Sequence, residues 1–187
     1  MRPIEDMSVL ITGGGSGIGE GAADHFVRRG ALVTITGRRA DRLAEVSERL
    51  GDRCRVVVGD VTDAGHRDEM VSAAVEHGGG LDALISNAGK MYRSSVPELE
   101  EDQLLDIFNT NVVGGMMLVR RAHPHLLKSK GCVVFVGSVH TQRAFPGASP
   151  YAATKGALEA LTGVLAAEMG PDGIRVSCIR PGGVLTR

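Results

Sequence analysis

The sequence contains no tryptophan, two tyrosines and four phenylalanines among 187 residues. A core so poor in aromatics must be filled by Ala, Val, Leu and Ile. Cysteine is scarce too: Cys54, Cys132 and Cys178 lie far apart, each inside an apolar run. That count and spacing exclude a disulfide framework and a CxxC metal site, and point to buried thiols in a reducing compartment. No apolar run approaches the roughly 20 residues needed to cross a bilayer. The first residues, MRPIEDM, carry acids where a signal peptide has an apolar stretch. Charge is nearly balanced, with 21 Lys and Arg against 22 Asp and Glu, and no basic face stands out for nucleic acid. The pair His123 and His125 offers too few ligands for a metal. The expectation is a cytoplasmic protein working without membrane, nucleic acid or metal.

What the sequence has in excess is glycine, 26 residues. Tight turns and close backbone approaches follow from such a share. Short runs rich in Val and Ile recur at Ser8–Thr12, Leu32–Thr36, Arg55–Gly59, Leu81–Ser86, Cys132–Gly137 and Arg175–Ile179. They are apolar on both faces, as parallel strands covered on each side are. Helical patterns separate them near 17–29, 40–50, 64–77, 101–128 and 151–169. This alternation predicts an α/β fold, a doubly wound parallel sheet of Rossmann type in three α/β/α layers. No linker or repeat divides the chain, so 1–187 reads as a single domain. Arg175–Ile179 would fall at the sheet edge, yet its residues read as interior. An uncovered apolar edge is a liability, which leads to the expectation that a further C-terminal part of the fold is missing or that a partner covers it.

The first strand runs into Thr12-Gly13-Gly14-Gly15-Ser16-Gly17-Ile18-Gly19, and a helix follows at once. Glycines there permit a tight turn, close approach to a pyrophosphate and packing of helix on strand. The free N–H groups of the helix start face the anion. An ordinary turn could hold glycines too, but the place, strand before and helix after, favours phosphate binding.

The spacing G-x-x-x-G-x-G resembles the cofactor motif of the short-chain dehydrogenase/reductase family. Asp60-Val61, Asn87-Ala88-Gly89, Asn111, Ser138, Tyr151-x-x-x-Lys155 and Pro181-Gly182 follow in the family's order. The resemblance covers essentially the whole chain. It implies a nicotinamide cofactor held by Gly13, Ser16, Gly17, Ile18 and Gly19, with Asp60 and Val61 at the adenine and Asn87, Ala88 and Gly89 near the ribose. It further assigns Pro181 and Gly182 to the cofactor site, with Val184 near the nicotinamide amide and Thr186 near the amide or phosphate. Ser86 stands where the family more usually has Asn, and Ser16 where relatives preferring NADP often carry a basic residue. Asp60 or Thr62 could equally cap the helix that follows. After the second strand the stretch Thr36-Gly37-Arg38-Arg39 has no acid to take a ribose 2′-OH. Arg38, with Arg39 second, suits a 2′-phosphate instead, so NADP(H) is the preferred cofactor, with NAD(H) possible.

Tyr151 and Lys155, four apart at a helix start, share one face, while Leu158, Leu161, Val164, Leu165 and Met169 form the opposite stripe. A free phenol keeps its proton to about pH 10; an ammonium beside it and the positive end of a helix favour its release. Tyr151 thus reads as a general acid or base. Ser138, ending the fifth strand, can donate to a substrate oxygen. Asn111 lies seven residues from both Leu104 and Leu118, so it points where the apolar stripe points and needs buried partners. The resemblance implies that Asn111 holds a water of a proton relay and that Lys155 also holds the nicotinamide ribose. Together these four catalytic candidates imply hydride transfer between the cofactor and a carbonyl or secondary alcohol. A 3-oxoacyl carrier-protein reductase is one candidate; a catalytically idle cofactor-binding or scaffold protein is the other class. His140, Arg143, Lys90, Met91 and Tyr92 are placed near the substrate. Met116, Met117, Leu118 and Val119 exceed what one helix face can bury, and the family's helical interface implies a homodimer, with a tetramer possible.

Overall fold

The structure, a computed structural model, describes residues 3–184. Six parallel strands form one sheet in the order β3-β2-β1-β4-β5-β6: β1 Ser8–Thr12, β2 Leu32–Gly37, β3 Cys54–Val58, β4 Ala83–Ser86, β5 Cys132–Val136 and β6 Arg175–Ile179. β1 pairs on both sides, Leu10 standing opposite Thr34 of β2 and Leu84 of β4. The helices are α1 Gly17–Arg28, α2 Ala40–Leu50, α3 Ala64–Gly78, α4 Glu101–Phe108, α5 Gly114–Ser129 and α6 Ser149–Met169. On one sheet face Val9, Ile11, Val33 and Ile35 pack with Ala23 of α1 and Leu43 and Val46 of α2. On the other, Leu10, Leu84 and Phe135 pack with α3, α5 and α6 through Met70, Leu118, Leu126 and Leu158. The expected three-layer doubly wound sheet is thus present, and the chain reverses its winding between β1 and β4, where such sheets bind ligands.

Four readings need correction. Leu81 and Asp82 stand outside β4, because the Asp82 carboxylate accepts the Ser8 N–H (2.8 Å) before strand pairing begins at Ala83. The helix read over 101–128 is two helices joined by a π turn, Asn109–Val113. Neither Asp60 nor Thr62 caps α3: Asp63 does, accepting from the His66 N–H at 2.8 Å. In β6 the residues alternate; Arg175, Ser177 and Ile179 are exposed and only Val176 and Cys178 pack against the core. α6 covers one face of this edge strand, so the interior reading fails for the other.

The apolar stripes are also narrower than their sequence suggests. Leu118 and Val119 are buried in the chain's own core, whereas Met116 is 42% and Val164 55% exposed. Of the thiols, Cys54 is buried while Cys132 and Cys178 are partly buried, and all three are free.

Candidate active site

The loop after β1 is shaped by contacts that leave no room for side chains. Gly13 has φ +67°, and a Cβ there would lie 2.9 Å from the Asn87 Nδ2. A Cβ at Gly19 would collide with the Gly13 carbonyl oxygen. Thr12 and Asn87 stitch the ends of β1 and β4 together. The Thr12 hydroxyl accepts the N–H groups of Asn87 (3.0 Å) and Ala88 (2.9 Å), while the Asn87 amide donates to the carbonyls of Thr12 (2.8 Å) and Gly13 (3.2 Å). Two N–H groups and two carbonyls at this crossing are thereby paired.

Above the loop lies a groove of about 380 Å³, bounded by Gly13, Ser16 and Ile18, by Gly37, Arg38 and Arg39, by Asp60 and Val61, and by Asn87, Ala88 and Gly89. Its open shape over a glycine cradle and a helix start fits an extended dinucleotide. At the far end the Arg38 guanidinium stands 3.7 Å from the Asp60 carboxylate. Arg39 reaches back to donate to the Ser16 hydroxyl at 2.9 Å. Burial works against the charged form of Asp60, but hydrogen bonds from the Thr62 backbone and hydroxyl, and the Arg38 charge, outweigh it and hold the carboxyl below its ordinary value.

The groove opens into a cleft of about 510 Å³ that contains Ser138, Tyr151 and Lys155. Ile18, Asn87, Gly89 and Lys90 line both cavities. Lys155 is 4% exposed; its ammonium donates to the Val136 carbonyl at 2.7 Å and lies 5.5 Å from the centre of the Tyr151 ring. Burial lowers its pKa from 10.5 to about 8. Asn111, 3% exposed, sits in the π turn. Its amide donates to the Lys90 carbonyl (3.0 Å) and the Thr154 hydroxyl (3.1 Å), and its oxygen accepts the Lys90 N–H (2.8 Å). A π turn widens the helix by one residue and commonly serves a functional position; here it turns an amide inward that straps the segment after β4 to α6. Asn111 and Lys155 meet at Gly89, whose absent Cβ would lie 3.1 Å from the Asn111 oxygen and 3.6 Å from the Lys155 nitrogen.

Ser138 is 5% exposed, and its hydroxyl meets the His140 N–H (3.2 Å) and the His140 Nδ1 (3.0 Å). The His140 ring packs against Phe145 (centroids 4.3 Å) and edge-on against Tyr151 (5.2 Å). Glu159 of α6 ties two neighbouring loops together, accepting from the Thr141 hydroxyl (2.5 Å) and from two nitrogens of Arg180 (2.6 and 3.1 Å).

The residues expected at the site therefore converge, with some exceptions. Gly17 and Gly19 do not line the groove: Gly17 opens α1 with φ +59° and Gly19 packs against the Gly13 carbonyl. Pro181 and Gly182 line the cleft, but Val184 is 50% exposed and does not. Thr186 lies outside the described residues. Of the proposed substrate neighbours, Lys90, Met91 and His140 line the cleft; Arg143 and Tyr92 do not, the Tyr92 hydroxyl accepting the Glu100 N–H at 3.1 Å instead. Sequence reasoning missed Thr12, Thr154 and Phe145. Thr154, three residues after Tyr151 in a helix, was within reach of such reasoning; Phe145, on an irregular loop, offered no periodicity.

A six-stranded doubly wound sheet, a glycine cradle at its crossing and a tyrosine–lysine cleft beside it define a nicotinamide-dependent oxidoreductase of Rossmann type. The chain belongs to the short chain dehydrogenase family, whose profile it matches over residues 7–187, and it is an NAD(P)-dependent dehydrogenase/reductase. It is 31% identical over 187 residues to an uncharacterized oxidoreductase of Staphylococcus epidermidis, covering all of this chain and 81% of that protein. It is 34% identical over 190 residues to an uncharacterized oxidoreductase of Methylorubrum extorquens, covering 76% of it. The 3-ketoacyl-(acyl-carrier-protein) reductase of Brucella melitensis, solved in complex with NADH, superposes with TM-score 0.93 at 32% identity, over 96% of this chain and 76% of that one. A Caenorhabditis elegans short-chain dehydrogenase/reductase of unknown function, solved with cofactor, gives TM-score 0.92 at 30% identity, over 99% and 72%. No described helix is long and apolar enough to cross a membrane.

Proposed function

We propose that this single-domain protein reduces a carbonyl, or oxidises the corresponding secondary alcohol, with NADP(H) in preference to NAD(H). The observation that supports the reading is the continuity of the groove with the cleft through Ile18, Asn87, Gly89 and Lys90, along which an extended dinucleotide would reach Tyr151. When bound, the nicotinamide supplies or accepts the hydride. Tyr151 gives its proton to the carbonyl oxygen in reduction and takes one from the alcohol in oxidation. Ser138 donates a hydrogen bond to the same oxygen as charge develops there. Lys155, anchored on the Val136 carbonyl, keeps a positive charge beside the phenol and within reach of the nicotinamide ribose. Asn111, with one lone pair of its amide oxygen beyond the bond from Lys90, holds the water that leads the relay away from Lys155.

The pair Arg38 and Arg39, with no acid at the end of β2, supports the preference for a 2′-phosphate. A 3-oxoacyl thioester is one candidate substrate, suggested by the likeness to the Brucella melitensis reductase. The exposed Met116 and Val164 on α5 and α6 suit a homodimer, and three unpaired thiols suit the cytoplasm. Screening ketones, 3-oxoacyl thioesters among them, with NADPH and with NADH tests the reading. Turnover faster with NADPH is expected; tight nucleotide binding with no turnover across the panel would favour a protein that binds the cofactor without catalysis.

A further inference from the structure

His140 places three observations together that no role given above accounts for. Its Nδ1 is 3.0 Å from the Ser138 hydroxyl oxygen, and its backbone N–H donates to that same oxygen at 3.2 Å. Its ring is fixed from two directions, by Phe145 and by Tyr151. Its Nε2 is enclosed and has no hydrogen-bond partner among the described residues.

Two tautomers satisfy these distances, and they have opposite consequences for Ser138. If Nε2 carries the proton, a buried N–H is left with no acceptor, and the Ser138 proton is drawn to Nδ1 and away from the cleft. If Nδ1 carries it, the enclosed Nε2 is a bare acceptor, the less costly of the two to leave alone. Nδ1–H then donates to the Ser138 oxygen, whose other lone pair takes the His140 backbone N–H. Both lone pairs of the hydroxyl are engaged, and its proton is left to point elsewhere. Ser138 lines the cleft, and a substrate oxygen there is the acceptor open to that proton.

We infer that His140, as its Nδ1–H tautomer, is a positioning residue that saturates the Ser138 oxygen and aims the Ser138 proton at the substrate oxygen. The inference rests on the reading of Ser138 as the donor to that oxygen. His140 touches no reacting atom; it converts a rotatable hydroxyl into a pre-oriented donor, the property that makes such a group effective in a transition state.

Two measurements test it. In the full-length protein saturated with NADPH, assigned ring ¹⁵N resonances of His140 report which nitrogen is protonated. Protonated Nδ1 is expected; protonated Nε2 overturns the inference whatever the activity. The second uses 9,10-phenanthrenequinone as carbonyl probe with NADPH. His140→Phe keeps an aromatic ring against Tyr151 and Phe145 and should lower kcat roughly tenfold to a hundredfold with the KM for NADPH unchanged. His140→Asn, which offers an N–H near the place of Nδ1, should restore most of the rate. In a Ser138→Ala background His140→Phe should cost nothing further, because the group it positions is gone. Equal losses in both backgrounds, or no rescue by Asn, would reduce His140 to a packing residue. Full turnover by Ser138→Ala alone would instead remove the donor role of Ser138, a failure of the underlying reading that the single variant identifies by itself.

Discussion

The Lys155 ammonium is held by the Val136 carbonyl, 2.7 Å away, at a point where the side chain is almost fully buried. One hydrogen bond does not replace the hydration lost there, and burial accordingly brings the pKa from 10.5 down to about 8. Below pH 8 folded and unfolded chains both carry the proton, and the folded state bears the whole desolvation cost. Between about pH 8 and 10.5 the unfolded chain holds a proton that the folded chain has released, so stability rises with pH through this window. Relative to Lys155→Met, which has no charge to bury, the wild type should gain up to about 3 kcal/mol between pH 7.5 and 10.5. Urea unfolding of both proteins across that range measures the difference. A difference that stays flat with pH would mean that Lys155 is hydrated in the folded protein.

Tyr151 and Lys155 share the cleft, yet their substitution should have separable effects. Tyr151→Phe removes one hydroxyl and leaves the ring against His140, so nucleotide affinity should stay within about twofold while turnover falls by about 10² to 10⁴. Fluorescence titration with NADPH, together with single-turnover kinetics, reads the two quantities. Lys155→Ala should damage both, since one ammonium serves phenol and ribose. Turnover by Tyr151→Phe close to that of wild type would remove the tyrosine from the proton transfer.

The strand pattern and the glycine loop were legible because each has a local cause, apolar runs in one case and backbone sterics in the other. Asn111 was legible as a buried amide from its spacing to Leu104 and Leu118. The π turn that carries it was not, since a single widened turn barely disturbs a pattern of apolar spacing. The Asp63 cap was missed because Asp60, Thr62 and Asp63 are all capping types within four residues, and only backbone geometry chooses among them. β6 was misread for a different reason. Composition says that a strand is apolar, but which face meets a helix depends on α6, whose docking is a tertiary fact. The same holds for His140: its contacts with Phe145 and with Tyr151 of α6 arise between the segment after β5 and a helix, where no period exists to be read.

Two glycines in the same helix should respond oppositely to a methyl group. At Gly19 a Cβ would meet the Gly13 carbonyl and the Asn87 amide, both fixed by the crossing of β1 and β4. Gly19→Ala should therefore destabilise the fold by about 1–3 kcal/mol and weaken nucleotide binding with it. At Gly21, exposed in α1, a Cβ meets nothing within 4 Å. Gly21→Ala should stabilise by about 0.5–1 kcal/mol, because alanine loses less backbone freedom on folding. Thermal melts with and without NADPH decide both. A neutral Gly19→Ala would show that the loop can shift away from the strand end.

The cofactor preference turns on two arginines that the structure treats differently. Arg38 faces the Asp60 carboxylate at 3.7 Å, so part of its charge is already answered. Arg39 donates to Ser16 and so brings a cation to the edge of the glycine loop, the place where Ser16 itself has none. A 2′-phosphate between them would gain charge-assisted hydrogen bonds that NADH cannot make, on the order of 1.5–3 kcal/mol. In affinity this is roughly tenfold to a hundredfold. Arg38→Ala and Arg39→Ala should each lose part of that advantage and the double variant nearly all of it, with NADH affinity almost unchanged throughout. Gly37→Asp should reverse the preference, since a carboxylate there repels the phosphate and accepts from a ribose 2′-OH. The advantage should also shrink as salt rises, because both arginines are exposed and screening reaches them. Calorimetric titration of wild type and variants with both nucleotides at two salt concentrations reads all of this. If wild type binds NADH as tightly as NADPH at moderate salt, the arginines serve the loop and α2 rather than the phosphate.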